Sequence, residues 1–298
     1  MNVKDRRTNG EKTFDIFNVI FMCILCAIFL YPVLNVLAIS LSGSGPVLRH
    51  EVFVLPKKVT VNAYKDVIAN KNIYQAYMNT IFVATVGCFC SLLTICLAAY
   101  PIAFCDFYGK RLFKNMILIA LWFGGGMIPT YVVMRKAGLV NSLWALIINV
   151  LCSSYYVIVL RSFFIGSIPK SLIESMKIDG ANDFQILFRL VIPLSKAALA
   201  TIALWIVVGH WNDFVAPILY LQDKDKYTLQ IVLRDIILQT SGSLYEINDA
   251  SRIQEGTMVI PAQIQNAVII VSMIPMLIIY PFLQRFFVTG ITIGAVKG

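Results

Sequence analysis

Residues 167–193 read SIPKSLIESMKIDGANDFQILFRLVIP, and the reading of this stretch decides what kind of protein the chain makes. It lies between two apolar segments, yet it carries Lys170, Glu174, Lys177, Asp179, Asp183 and Arg189. Pro169 suits the first turn of a helix, where its missing N–H costs nothing. Ile168, Leu172, Ile173, Met176 and Ile178 then supply a patchy apolar face. Asp179-Gly180 breaks that run, because glycine turns with positive φ at little cost. Asn182 or Asp183 can cap a second short helix, on which Phe184, Leu187 and Phe188 share a face. Pro193 marks the entry to the next apolar segment. The pattern predicts helix, glycine turn, helix, lying beside a membrane rather than within it. From these physical features alone, an ordinary interfacial loop and a docking segment stand on equal terms.

The surroundings are those of a membrane protein. The chain has 298 residues, of which 58% are hydrophobic and 14% charged, and its mean hydropathy is +0.76. That composition excludes a soluble domain. No Asp, Glu, Lys or Arg occurs in 16–48, 72–105, 115–134, 137–160 or 256–284, and only Asp213 interrupts 197–222. A bilayer-spanning helix needs roughly 20 apolar residues, so the charge gaps predict six transmembrane helices in an all-α membrane protein. The apolar part of the first, Ile16 to Leu41, is too long for a secretory signal core and reads as a retained helix.

Basic residues set the orientation. With the N-terminus inside, the inner segments hold Lys4, Arg6, Arg7, Lys12, Lys110, Arg111, Lys114, Arg161, Lys170, Lys177, Arg189, Lys196, Arg285 and Lys297. They carry fewer acidic residues, whereas the two signs nearly balance in the outer segments. Residues 167–193 are thereby placed in the cytoplasm. The net charge of +9 follows from topology, and there is no basic soluble surface for nucleic acid.

Along the chain, residues 1–15 form a polar cytoplasmic start, and 42–75 and 221–264 form outer loops. Glu51 to Val54 and Val59 to Val61 alternate in a mildly strand-like way, while Thr228 to Leu238 looks helical. Helix three, from about Phe113 to Met134, contains Gly124-Gly125-Gly126, which permits close backbone approach or a bend; packing is the commoner use. Helix four runs from about Ser142 to Phe163, with Asn149 and Tyr155-Tyr156 along it. Helix five begins near Leu194 and meets His210-Trp211-Asn212-Asp213-Phe214 some 15 residues later, roughly 20 Å along at about 1.5 Å per residue. A carboxylate within a span is expensive unless it faces water, a partner or an interface. Asn79, Thr80 and Asn149 fall at a comparable depth. The cluster reads equally as helix-end residues at the interface or as part of a polar pathway. The seven cysteines read as small apolar filler rather than as a metal or redox set.

Several motifs together resemble the permease subunits of ABC importers. Glu174-Ser175-Met176, Asp179-Gly180-Ala181 and Ile192-Pro193 match the cytoplasmic coupling loop of that family, the EAA loop, with Ser175-Met176 in place of two alanines. Ile168-Pro169-Lys170 and Leu194-Ser195-Lys196 resemble the flanks of the carbohydrate-uptake branch. So do Met127 to Tyr131, Gly138 to Leu143, Trp211 to Pro217, and the ending from Tyr280 to Gly298, which is similar to maltose-permease-type proteins. The resemblance covers about residues 12–298.

It implies a type I ABC importer permease fold, with a transmembrane domain over 16–298, in the cell membrane of a bacterium. Glu174, Ser175, Met176, Asp179, Gly180, Ala181 and Pro193 would couple to an ATPase. The expected partners are a second homologous permease, two ABC ATPase subunits or domains, and an extracytoplasmic solute-binding protein. The expected cargo is a carbohydrate, favouring an oligosaccharide. Asn79, Asn149, Trp211, Asn212 and Asp213 are the candidate pathway residues, combining aromatic, amide and carboxylate groups that suit sugar hydroxyls. The chain has no G-x-x-x-x-G-K-[ST] loop, so ATP and magnesium are expected on the ATPase, with no catalytic or metal site here. A permease for another solute, and a secondary transporter using Asp213 for ion coupling, are the competing readings.

Overall fold

The computed structural model describes residues 9–242 and 259–295. The first eight residues of the expected cytoplasmic start, residues 243–258 of the expected second loop, and the last three residues lie outside it. Among the described residues the chain is helical, without strands. Three helices are long and apolar enough to cross a membrane by themselves: Gly10–Ser40, Lys71–Phe104 and Pro261–Pro281. Three more candidate spans exist only as pairs of helices bent by 82–119°. By length and composition alone the described residues thus give three spans, or up to six if each bent pair is one.

The chain divides into two compact units, residues 1–70 with 235–273, and residues 71–234 with 274–298. In the first, α1 (Asn9–Ser40) turns bare apolar side chains outward, among them Phe14, Phe17 and Phe29. Such a surface suits lipid, where the backbone is already satisfied within the helix. After it come α2 (Ser44–Leu48) and α3 (Asn62–Ala69). The strand-like alternation at 51–54 and 59–61 yields no strand. The backbone here bonds instead to the end of α1: Asn35 Nδ2 donates to Phe53 O at 2.7 Å, and Lys57 N donates to Ser42 Oγ at 3.0 Å. Gln263 donates to the Ser42 carbonyl, and Ala38, Val47, Val52 and Ile260 form a small core.

The second unit is built on α4 (Lys71–Phe104). It continues with α5 (Lys110–Trp122), α6 (Met127–Lys136), α7 (Leu143–Ile148), α8 (Ser154–Ser167) and α9 (Lys170–Ile178). Next come α10 (Asp183–Ile186), a π-helical turn at Leu187–Val191, α11 (Ile192–Leu194), α12 (Lys196–Asn212) and α13 (Val215–Tyr220). A 3₁₀ turn, Lys224–Lys226, precedes α14 (Leu229–Gly242), which fulfils the helical reading of 228–238. α15 (Pro261–Ala295) closes the chain, its residues 261–273 belonging to the first unit.

α4 packs mainly against α8 and α12. Small buried residues, Ala84, Gly87, Ser91, Cys96 and Ala99, line its packed face and let neighbours approach closely. A Cβ on Gly87 would stand 2.6 Å from His210 Nε2. Cys88 and Cys96 fill this core, whereas Cys23, Cys26 and Cys152 are exposed.

The expected third and fourth helices are each broken. Gly124-Gly125-Gly126 bends the third by 119° between α5 and α6. Nothing lies within 4 Å of a Cβ placed on Gly124 or Gly126, and Gly126 has φ +82°. Within this chain the glycines serve the bend. The fourth stops at Ile148 and restarts at Ser154, because tight turns bond Val150 N to Ile147 O and Leu151 N to Ile148 O. The fifth starts after an 83° corner at Ser195 and ends at Asp213.

Candidate functional site

Two places carry the polar chemistry of the second unit, and they lie at opposite ends of α12. At its beginning, residues 167–193 take the expected order of helix, glycine turn and helix. α9 starts after Pro169 and ends in a Schellman turn. Gly180 N donates to Lys177 O at 3.1 Å and Ala181 N to Met176 O at 2.9 Å, while Gly180 has φ +80°. Only glycine takes that left-handed conformation without strain. Met176 and Ala181 close the turn on its apolar side, both packed against the core. Asn182 then starts the next helix with a capping box: its Oδ1 accepts from Gln185 N at 2.8 Å, and Gln185 Oε1 accepts from Asn182 N at 3.0 Å. Two separate local devices thus fix the angle between the helices.

The helix from Asp183 to Leu194 widens into a π turn at Leu187–Val191. Pro193 explains it, since a proline cannot donate to the carbonyl four residues back and crowds it. Ile173, Ile186, Leu187 and Val191 are buried with Tyr100, Ile102 and Phe164 of α4 and α8. The opposite side is apolar but bare: Ile178 is 87% exposed and Phe184 66%. Leu172 and Phe188 are also exposed, as are Glu174, Ser175, Asp179 and Pro193. The expected shared face of Phe184, Leu187 and Phe188 is therefore split, because the i, i+4 pair points out and Leu187 points in. Lys177 Nζ lies 3.8 Å from Asp183 Oδ1.

At the far end of α12, a cavity of about 280 Å³ is lined by Val150, Ser153, Tyr156, Trp205, Ile206, Gly209, His210 and Asp213. The rings of Tyr156 and Trp205 stack with centroids 5.9 Å apart, and Tyr155 meets Tyr156 edge-on at 5.5 Å. Asp213 Oδ1 accepts from Val215 N at 3.0 Å and Ala216 N at 3.2 Å, capping α13 in the manner of an N-cap carboxylate. His210 is buried beside Gly87, its Nε2 without a hydrogen-bond partner.

Of the five pathway candidates, Asp213 lines the cavity and Asn149 adjoins it through Val150. Asn212 is exposed and donates to Val208 O at 3.0 Å. Trp211 is buried, edge-on to Tyr77 at 5.8 Å. Asn79 is buried, and its amide donates to Asp225 O at 2.8 Å and Tyr227 O at 3.0 Å. Thr80 Oγ1 accepts from Leu229 N at 2.9 Å. Asn79 and Thr80 thus hold the 223–229 loop instead of facing the cavity.

Asn141, at φ +64°, holds the same loop from another side. Its Oδ1 accepts from Gln222 N and Asp223 N at 3.1 Å each, and its Nδ2 donates to Asp223 Oδ2 at 2.7 Å. In the sequence Tyr155-Tyr156 are legible only as residues along the fourth helix, and Trp205 as one more apolar residue of the fifth. The aromatic pair lies about 50 residues apart in the chain, a separation at which no spacing rule brings two rings together.

A family model for the binding-protein-dependent transport system inner membrane component matches residues 83–293, spanning both places. The chain belongs to that family. This permease is 35% identical over 288 residues to the polygalacturonan/rhamnogalacturonan transport system permease protein YtcP of Bacillus subtilis (strain 168), covering 97% of this chain and 99% of the relative. It is 36% identical over 295 residues to protein LplC of the same organism, covering 98% and 97% of the two chains. Among solved structures, a chain of a bacterial ABC transporter involved in the import of the acidic polysaccharide alginate matches with a TM-score of 0.86 and 32% identity, over 94% of the permease and 99% of that chain.

Proposed function

We propose that the permease forms one half of the transmembrane pathway of a bacterial ABC importer for a carbohydrate, in particular an oligosaccharide. The observation that carries this reading is its end-to-end similarity to permeases of carbohydrate uptake, among them YtcP. A second homologous permease completes the pathway, and an extracytoplasmic binding protein delivers the sugar. Two ATPase subunits or domains inside hold the ATP and magnesium. With six spans and the basic residues toward the inside, the N-terminus and residues 167–193 lie in the cytoplasm.

Residues 167–195 receive the ATPase. Their exposed side combines Glu174 and Asp179 with Leu172, Ile178, Phe184 and Phe188, and apolar groups left bare on a water-facing surface mark a partner's footprint. The turn built by Met176, Gly180 and Ala181 fixes the shape presented, while Ser175 and Pro193 flank it. At the other end of α12, the Tyr156–Trp205 stack offers an apolar ring face, and Asp213 an acceptor for hydroxyls. That combination suits a sugar, which has both faces and edges to satisfy. Asn149 and Asn212 adjoin this path. Alternating access follows when ATP-driven closure displaces residues 167–195 and the helices re-pack between two arrangements.

Uptake of labelled oligosaccharides by cells with and without the permease tests the reading. Loss of one oligosaccharide's uptake on deletion, and loss again when the partner ATPase cannot hydrolyse ATP, is the expected result. Trp205→Ala should raise the KM for uptake about tenfold, the worth of one ring–ligand contact of roughly 1–2 kcal/mol. Unchanged sugar uptake together with lost uptake of an amino acid or an ion would overturn it.

A further inference from the structure

We infer that Tyr100 of α4 and Asp183 form the joint through which displacement of residues 167–195 enters the transmembrane helices. The inference rests on the reading that this segment receives the ATPase. The contacts between the segment and α4 are of two kinds. Ile173, Ile186, Leu187 and Val191 pack on the inner core, and apolar contacts are non-directional, so they permit sliding. The hydrogen bond from Tyr100 Oη to Asp183 Oδ1, 3.0 Å long, is directional. Its acceptor is the first residue of the helix after the capping box, where a negative charge is favoured. The same oxygen lies 3.8 Å from Lys177 Nζ on α9. One carboxylate oxygen thus joins both helices of the segment to α4.

The α4 side of this joint is held firmly, and its chain is weakened just beyond. Tyr100 is 4% exposed, and its ring leans on Phe104 at 5.9 Å, which in turn stacks on Phe164 of α8 at 6.2 Å. A push on Asp183 therefore reaches α4 and α8 together. Pro101 follows immediately inside α4, and its missing N–H removes one rung of the helix ladder at this level. That is where a helix bends when its end is pushed. Tyr100 acts as a positioning residue and is not among the residues lining the cavity.

The test uses the whole reconstituted importer, with ATPase, second permease and sugar-loaded binding protein. Tyr100→Phe keeps the ring and removes the bond. Sugar moved per ATP hydrolysed should fall about tenfold, in line with loss of one hydrogen bond to a charged group, while ATPase co-purification stays intact. Asp183→Ala should give a similar fall, and the double variant should be no worse than the more severe single one, because the two act through one contact. Asp183→Asn retains an acceptor and should keep most of the ratio. A Tyr100→Phe importer with an unchanged ratio overturns the inference, and so does a double variant whose effects multiply. If Gly180→Val leaves ATPase attachment untouched, the reading beneath it fails as well; normal Tyr100→Phe behaviour with attachment lost in Gly180→Val removes the joint alone.

Discussion

The two ends of α12 keep their shapes by different means. At the 167–195 end, the bonds that set the geometry join residues within five positions of each other, from Gly180 to Lys177 or from Gln185 to Asn182. At the other end they reach across the fold: Asn79 to Asp225 and Tyr227, Thr80 to Leu229, and Asn141 to Asp223. The short-range end presents apolar side chains outward, and the long-range end spends most of its polar groups on itself. A locally bonded turn sets the exposed footprint, with Met176 and Ala181 seating it on the core behind. The long-range loop depends on α4 and on the segment between α6 and α7 together. Substitutions at the first should therefore alter what is presented, and at the second they should loosen what is held.

Gly180→Val tests the local end and should have the largest effect. A β-branched residue at φ +80° costs about 1–2 kcal/mol, and in escaping that conformation the chain gives up both bonds of the Schellman turn. ATPase co-purification and sugar uptake should both fall more than tenfold, while the protein still inserts in the membrane. Gly180→Asn, which tolerates the left-handed region better, should retain part of each. Full attachment and uptake in both variants would show that the turn is not what the partner reads.

The same contrast explains how much was legible beforehand. Residues 167–193 were readable almost element by element, because a proline start, a C′ glycine and an Asn-x-x-Gln box act within one turn of themselves. The spans were readable as gaps in charge, but their breaks were not. Gly124 to Gly126 can serve packing or a bend in sequence, and only the empty space around them decides. Asn79 and Asp213 looked alike, as polar residues at one depth. Asn79 proves to fasten a loop 146 residues away, and Asp213 caps α13 beside the cavity. The pairing of Tyr156 with Trp205 carried no signal, since their stacking exists only once α8 and α12 have folded.

Asn79→Ala sharpens the comparison from the long-range side. It deprives two backbone carbonyls of a donor, at about 1–3 kcal/mol if water does not replace it. Limited proteolysis within 221–229 should become severalfold faster, with ATPase attachment unaltered. Asp213→Ala, by contrast, should slow uptake more than it exposes this loop. Equal protease resistance in Asn79→Ala and the parent would mean that Thr80 and Asn141 hold the loop without it.

The smallest effect is expected at Asp223. Its carboxyl is held below its ordinary value of 3.8 by the hydrogen bond from the Asn141 amide first, and then by the bond and charge of Lys226, whose Nζ lies 2.9 Å away. A lowered value means that the folded loop favours the ionised form. Its contribution is complete above the ordinary value and is lost as pH falls through the lower folded one. Between neutral pH and about pH 5 the loop should therefore not change in protease resistance. Below the ordinary carboxylate range it should loosen in the parent. Asp223→Asn keeps a neutral acceptor and should show no step there, at a small cost at neutral pH, because exposed ion pairs contribute little. A step of equal size in the Asp223→Asn variant would assign the acid response to another group and leave Asn141 holding the loop through Gln222 N and the Asp223 backbone alone.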